Sequence, residues 1–400
     1  MTPEQDPAVI AALQARFAFF SGEPMRDDPL NQALCAAAAR RPDWAALLAH
    51  APAPQRLPLL WLAALQDRVL ALVEAGERPA LAGYYASAGP ARAPDAALDM
   101  HLAGFIDRHR DALAQAIATR TTQTNEIGRS AILWPVLQGL VEATGRRRLA
   151  LLDVGCSAGL NLGVDRWRYR YVDDASGATV ATTPPDRDPR APEIACCLLA
   201  GTRAGAVARD AVPEIVARAG VDLHPVAVDD PAAVRWLRAC LWPHDGERRA
   251  RFDAAVAIAR TQAWPLRACT DVVAAVDEWL DGMPADAMPV VFDSWVLSYF
   301  DAPLRRRYAD RLLQHVAARG AAWISADDPA LSRAWWPARP ESSADKLANA
   351  TSWTVARPTA RAVSHGNWRP RRMPMAAGCF AKADPGQVLD NRKPSLQKRP

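Results

Sequence analysis

The segment Leu151-Leu-Asp-Val-Gly-Cys-Ser-Ala-Gly-Leu-Asn-Leu162 constrains this chain more than any other stretch. The apolar run 149–154, stopped by Gly155, fits a parallel strand buried on both faces. Gly155 and Gly159 allow a tight turn that brings backbone close to a ligand, and a helix with free N–H groups is expected to follow. Asp153 stands near the strand's carboxyl end, where open α/β sheets bind ligands. A carboxylate there suits an ammonium or sulfonium centre better than a pyrophosphate. The spacing is D-x-G-x-x-x-G; Ser157 replaces the second glycine of a nicotinamide-type G-x-G-x-x-G. A packed strand–helix turn without a ligand is the purely structural account of the same residues.

Further strands are predicted at 220–224, 264–268, 289–293 and 320–325. Helices are predicted between and after them at 231–240, 247–260, 271–280 and 303–319. Strands alternating with helices predict an α/β fold with a doubly wound, mostly parallel sheet over 149–368. Segments 352–356 and 362–365 read as an antiparallel hairpin at its edge. Upstream, 1–148 reads as a helical region or lid. In it, Leu98, Leu102, Phe105, Ile106, Leu113 and Ile117 line one face of a helix within 94–119. The stretch at about 163–202 breaks the pattern, because Trp167-Arg-Tyr-Arg-Tyr171 alternates like a strand. It reads as an insertion over the sheet's mouth.

The net charge of +4 conceals two parts. Residues 357–400 hold ten Lys/Arg against Asp384 and Asp390, leaving 38 basic against 42 acidic residues before them. Such a mildly acidic body offers no large field for nucleic acid, and 369–400 reads as a disordered basic tail. The nearly uncharged run 131–141 is short of the roughly 20 residues of a membrane span. The start Met-Thr-Pro-Glu-Gln-Asp lacks a basic n-region and an apolar h-region. Seven scattered cysteines without C-x-x-C, and seven histidines without H-x-x-x-H, point to a reducing cytoplasm and to no metal site.

Several residues fall where chemistry would be placed. Asp222 ends the second predicted strand, where an acid accepts hydrogen bonds from ribose hydroxyls. Asp271 fits either a contact to adenine's amine or a helix N-cap. The run Thr121-Thr-Gln-Thr-Asn-Glu-Ile-Gly-Arg-Ser130 holds more hydrogen-bonding side chains than capping requires. Asn125, Glu126 and Arg129 are its expected ligand contacts. Asp293, Ser294 and Tyr299 follow the fourth strand and are expected to face the same cleft. Gly155-x-Ser157-x-Gly159 also matches a nucleophile elbow, with Asp293 and His315 or His365 as partners. Against that, the upstream region is helical and holds no His-Gly oxyanion segment. Trp323, Trp335 and Trp336 read as core or lid.

Taken together, Gln123-Thr-Asn-Glu-Ile-Gly-Arg-Ser130, Gly155-Cys-Ser-Ala-Gly-Leu-Asn-Leu162, Asp165-Arg-Trp-Arg-Tyr169, Gly220-Val-Asp-Leu-His-Pro225 and Leu241-Trp-Pro243 resemble an uncharacterised bacterial family, domain of unknown function 2332. The likeness runs over roughly residues 10–368 and brings no established reaction. The family in turn looks like class I methyltransferases that use S-adenosylmethionine. On that resemblance Asp153, Gly155, Ser157 and Gly159 hold the methionine part, Asp222 the ribose and Asp271 the adenine. Glu126, Asp293 and Tyr299 would hold or deprotonate a small-molecule acceptor, with Asn125, Arg129 and Ser294 binding it. The alternatives are a non-catalytic Rossmann domain that binds a metabolite or a protein, and a serine hydrolase acting through Ser157.

Overall fold

A computed structural model describes residues 6–123, 125–173, 175–183, 191–198, 207, 210–328, 331, 352–358, 363–365 and 369–370. The chain opens with helices α1 (Pro7–Phe20), α2 (Pro29–Arg40), α3 (Pro42–Ala45), α4 (Pro58–Glu74), α5 (Leu98–Thr119) and α6 (Ser130–Thr144). The first two begin at proline behind the capping carboxylates of Asp6 and Asp28. Their apolar faces, with those of α4 and α5, close over Phe17, Trp44, Trp61 and Leu102. That core also takes in Trp236 and Trp242 from far downstream.

Trp236 lies on α7 (Pro231–Ala239), and its indole donates to the Thr121 carbonyl at 2.9 Å. Beside it Arg235 pairs with Asp67 and Glu74, each at 3.0 Å. The helical part is thus fixed to the rest of the fold through a shared apolar core. Helix α6 is apolar on nearly every side, and its Trp134 and Leu137 pack with Leu149 and Leu151 of the sheet. Helix α6, within the expected helical region 1–148, thus shares the core of the sheet.

In chain order the strands are β1 (Arg148–Val154), β2 (Arg168–Asp173), β3 (Thr179–Thr183), β4 (Glu193–Leu198), β5 (Glu214–Asp222), β6 (Leu266–Ala268), β7 (Met288–Ser294), β8 (Ala322–Asp327), β9 (Ser352–Ala356), β10 (Val363–His365) and β11 (Arg369–Pro370). The main sheet has the order β10-β9-β8-β7-β1-β5-β6. Strands β8, β7, β1, β5 and β6 are parallel, and β9–β10 form the expected antiparallel hairpin at one edge. Helices α8 (Gly246–Gln262), α9 (Val272–Gly282) and α10 (Ala302–Arg319) complete the mixed α/β architecture. From β1 the chain builds outward through β5 and β6, then returns to the other side of β1 for β7 and β8. The order reverses between β1 and β7, whose carboxyl ends flank the crevice where such sheets bind ligands.

The expected helix after the first glycine turn is replaced by one 3₁₀ turn, Leu160–Gly163. A Cβ on Gly163 would lie 2.4 Å from the Trp167 ring and 2.6 Å from that of Trp264, so the chain can turn there only with glycine. It then enters a second sheet, β11-β4-β2-β3, of which β2, β3 and β4 lie within 163–202. Bidentate pairing of Arg218 on β5 with Asp165, at 2.7 and 3.0 Å, fixes the insertion's root. Arg369–Pro370, at the start of the expected tail, pair with Cys197 and Cys196. Residues 371–400 lie outside the described residues, as do Trp335 and Trp336. Trp323 is core. No helix among the described residues is long and apolar enough to cross a membrane.

Candidate functional site

The turn after β1 places Gly155, Ser157 and Gly159 at φ of +72°, +50° and +67°. This left-handed backbone is natural for glycine and unfavourable for serine. A dense network holds Ser157 there. Its N–H donates to Asp222 Oδ2 at 2.8 Å, and its hydroxyl donates to Gln123 Oε1. Asn125 Nδ2 donates to the same hydroxyl at 2.7 Å, while Asn125 Oδ1 accepts from the Ala158 N–H at 3.2 Å. Gln123 Nε2 also reaches the His224 carbonyl at 3.2 Å. The polar run that the sequence offered as a ligand contact is therefore a strap over the turn, and Asn125 is committed to it.

The glycines serve close packing of protein against protein. A Cβ on Gly155 would meet Val296 Cγ2 at 2.1 Å, and one on Gly159 would meet Leu266 Cδ2 at 2.6 Å. Gly155 itself stays exposed at the mouth. Across from it, Trp295 has φ +58°, a second strained residue at the end of a neighbouring strand. Such outliers concentrate at functional sites.

Three expected acids are committed elsewhere. Adjacent strand residues point to opposite faces, so Asp293 and Ser294 cannot both line one cleft. Asp293 is wholly buried and accepts from Ser325 Oγ and Trp323 Nε1 at 2.6 Å and from Tyr308 Oη at 3.2 Å. Burial pushes its carboxyl up to about 6 against those three donors. Glu126 is also buried, with Oε1 accepting from the Gly128 N–H at 2.7 Å and Oε2 lying 2.6 Å from Arg248 Nε. Asp271 caps α9 through the N–H groups of Val273 and Ala274 and pairs with Arg307 at 2.8 Å, which is its capping alternative. Among the described side chains, no hydrolase partner stands beside Ser157. His315 Nε2 pairs with Asp277 at 2.6 Å, and the His365 side chain lies outside the described residues.

What does converge is Asp153, Ser294 and Arg129. Asp153 is level with Phe292 on β7, so Ser294, two residues on, shares its face. Asp153 is 3% and Ser294 8% exposed. Asp153 Oδ2 and Ser294 Oγ are both buried without a hydrogen-bond partner among the described residues. Unmet buried polar atoms are rare, and each requires an explanation. Arg129, at the start of α6, donates to the Ser294 carbonyl at 3.2 Å. It has no ion pair within 4.0 Å among the described residues, so most of its five donors are uncommitted. Burial pushes the Asp153 carboxyl up to about 8, the Asp222 charge adds to the rise, and Arg129 opposes it.

The mouth is completed by Asp222, Leu223 and Tyr299. Asp222 receives the N–H groups of Ser157 and His224 at 2.8 Å each, which leaves further lone pairs on both oxygens. Leu223 and Tyr299 are 57% and 61% exposed, unusual for such side chains. Desolvation pushes the Tyr299 hydroxyl above its ordinary pKa, making it a weaker acid, with Arg129 opposing and Asp327 and Asp222 reinforcing.

Sequence reasoning missed Asp327, the last residue of β8. It is wholly buried, accepts from the Leu297 and Asp328 N–H groups at 3.0 and 2.8 Å, and is pushed up to about 7, chiefly by burial. Carrying the predicted strand 320–325 two residues further would have placed it at a strand end.

A family model described as an uncharacterized protein conserved in bacteria (DUF2332) matches residues 14–371. No curated protein and no solved structure matches the chain.

Proposed function

We propose that this chain, which belongs to the DUF2332 family, binds S-adenosylmethionine between β1 and β7 and transfers its methyl group to a small acceptor. The observation that carries the reading is the buried Asp153 Oδ2, without a hydrogen-bond partner among the described residues, at the point where strand order reverses. A buried carboxyl is held neutral at a cost unless a cation arrives to pair with it. Asp222 supports the reading, because it ends the strand beside β1 with lone pairs free for two ribose hydroxyls. Leu223, exposed next to it, offers an apolar face to a base. The five parallel strands in the order β6-β5-β1-β7-β8, with the hairpin outside β8, support the reading, because a class I methyltransferase core would order its parallel strands in that way.

When bound, the sulfonium group supplies a methyl already activated for attack. What the protein adds is alignment and exclusion of water. Asp153 holds the positive end and Asp222 the sugar. Tyr299, the one expected acceptor contact that stays open at the mouth, orients an acceptor through its hydroxyl as donor. Asp293 and Glu126 shape the scaffold, the first through Trp323 and Tyr308 and the second through Arg248. Asp271 serves helix α9.

A second reading is a binding protein without transfer. It is favoured by Val296, whose packing against Gly155 fills space that a ligand could otherwise approach. Calorimetry with S-adenosylhomocysteine tests both readings. The wild type is expected to bind, and Asp153→Ala to weaken binding about 10- to 100-fold, the worth of one charge-assisted contact. No binding, or an affinity that Asp153→Ala leaves unchanged, refutes the assignment. Binding without turnover across a panel of acceptors selects the second reading.

A further inference from the structure

We infer that the cleft recognises a zwitterion of the α-amino-acid type, with Asp153 receiving its ammonium and Arg129, helped by Ser294 Oγ, receiving its carboxylate. The inference rests on the site proposed above but adds an anion subsite that the cation argument does not require. Two kinds of unmet demand stand side by side. Among the described residues, Asp153 Oδ2 is an acceptor without a donor and Ser294 Oγ a hydroxyl without an acceptor, and both side chains are buried. Arg129 spends one N–H on the Ser294 carbonyl and none on a carboxylate within 4.0 Å among the described residues. Among the described residues, two other deep-set guanidiniums are paired. Arg248 lies 2.6 Å from Glu126 and Arg218 2.7 Å from Asp165. A lone cation or a lone anion would satisfy one half of the cleft and leave the other unpaired. A ligand carrying both charges on adjacent carbons satisfies both, and a guanidinium fork matches a carboxylate in two parallel bonds.

Two sources would present that group: the amino-acid end of the cofactor, or an amino-acid acceptor. Binding to the full chain is measured for L-methionine and for 3-(methylthio)propylamine, which keeps the ammonium and lacks the carboxylate. L-methionine is expected to bind about 10- to 100-fold tighter. Arg129→Met should erase that preference while leaving the amine's affinity unchanged, and Arg129→Lys should keep part of it. Equal affinities in the wild type overturn the inference. So does a preference that survives Arg129→Met in a protein with unaltered thermal unfolding. Should Arg129→Met fail to fold, Arg129→Lys and Ser294→Ala decide. A preference reduced in either supports the inference, and one unchanged in both overturns it.

S-adenosylhomocysteine and 5′-methylthioadenosine separate the sources. If Arg129→Met weakens the first and spares the second, the carboxylate belongs to the cofactor. If it spares both nucleosides yet erases the methionine preference, the carboxylate belongs to the acceptor. If neither nucleoside binds the wild type, the transferase reading falls, and the methionine pair still decides the zwitterion.

Discussion

Replacing Asp153 by asparagine should make this protein less sensitive to alkaline pH. In the unfolded chain the carboxyl titrates near 3.8, and in the fold near about 8. A buried acid raised in this way binds its proton more tightly in the folded state. Stability therefore falls as pH rises from the unfolded value towards the folded one. Above pH 5 the folded group stays largely protonated until pH approaches 8, where it is half ionised, while the unfolded one is ionised throughout. Three pH units at about 1.36 kcal/mol each set an upper bound of roughly 4 kcal/mol. Asparagine cannot ionise, so it does not share that loss. Asp293 and Asp327, pushed up to about 6 and 7, lower stability over part of the same window in both proteins. Guanidinium unfolding followed by tryptophan fluorescence at pH 5 and pH 8 measures the difference. We expect Asp153→Asn to gain about 2–4 kcal/mol on the wild type between the two pH values. Parallel losses would refute the reasoning, because they would mean that Asp153 is solvated or already paired.

Gly155→Ala should cost about 2–4 kcal/mol through its left-handed backbone and its clash with Val296, and Val296→Ala should recover the clash alone. Thermal unfolding of the two single variants and the double variant checks this. Full recovery, or none, would be wrong for a site where backbone and packing both act. Glu126→Gln should cost about 3–5 kcal/mol, because it leaves Arg248 buried without its charge. A second change, Arg248→Met, should lower that cost, and a double variant less stable than Glu126→Gln would contradict a buried pair.

The strands were legible because sheets covered on both faces demand unbroken apolar runs such as 149–154 and 289–293. Strand β5 was legible only in its last three residues, 220–222. Its earlier part carries Arg218, whose charge belongs to Asp165, a partner that spacing along the chain cannot indicate. The helix after β1 was expected from glycine spacing and fails at Gly163, where two indole rings leave no room for a side chain. Asp153 could be read from its place before the turn. Which of Asp293 and Ser294 faces the cleft depends on strand phase, and the residue types favoured both. Glu126 looked reactive because the sequence does not show Arg248 beside it. Arg129 looked like one polar residue among many, and its distinction is the absence of a carboxylate partner among the described residues, which only three dimensions reveal.

On the proposed reading, Asp153 is a neutral carboxyl that gives up its proton when a cation arrives. Titrating S-adenosylhomocysteine into the protein at pH 7, in two buffers of different ionisation enthalpy, counts that proton. With Asp153 near about 8 before binding, close to one proton should leave per ligand bound, and Asp153→Asn should bind more weakly and release none. Binding without proton release in the wild type, or no binding, would contradict the account.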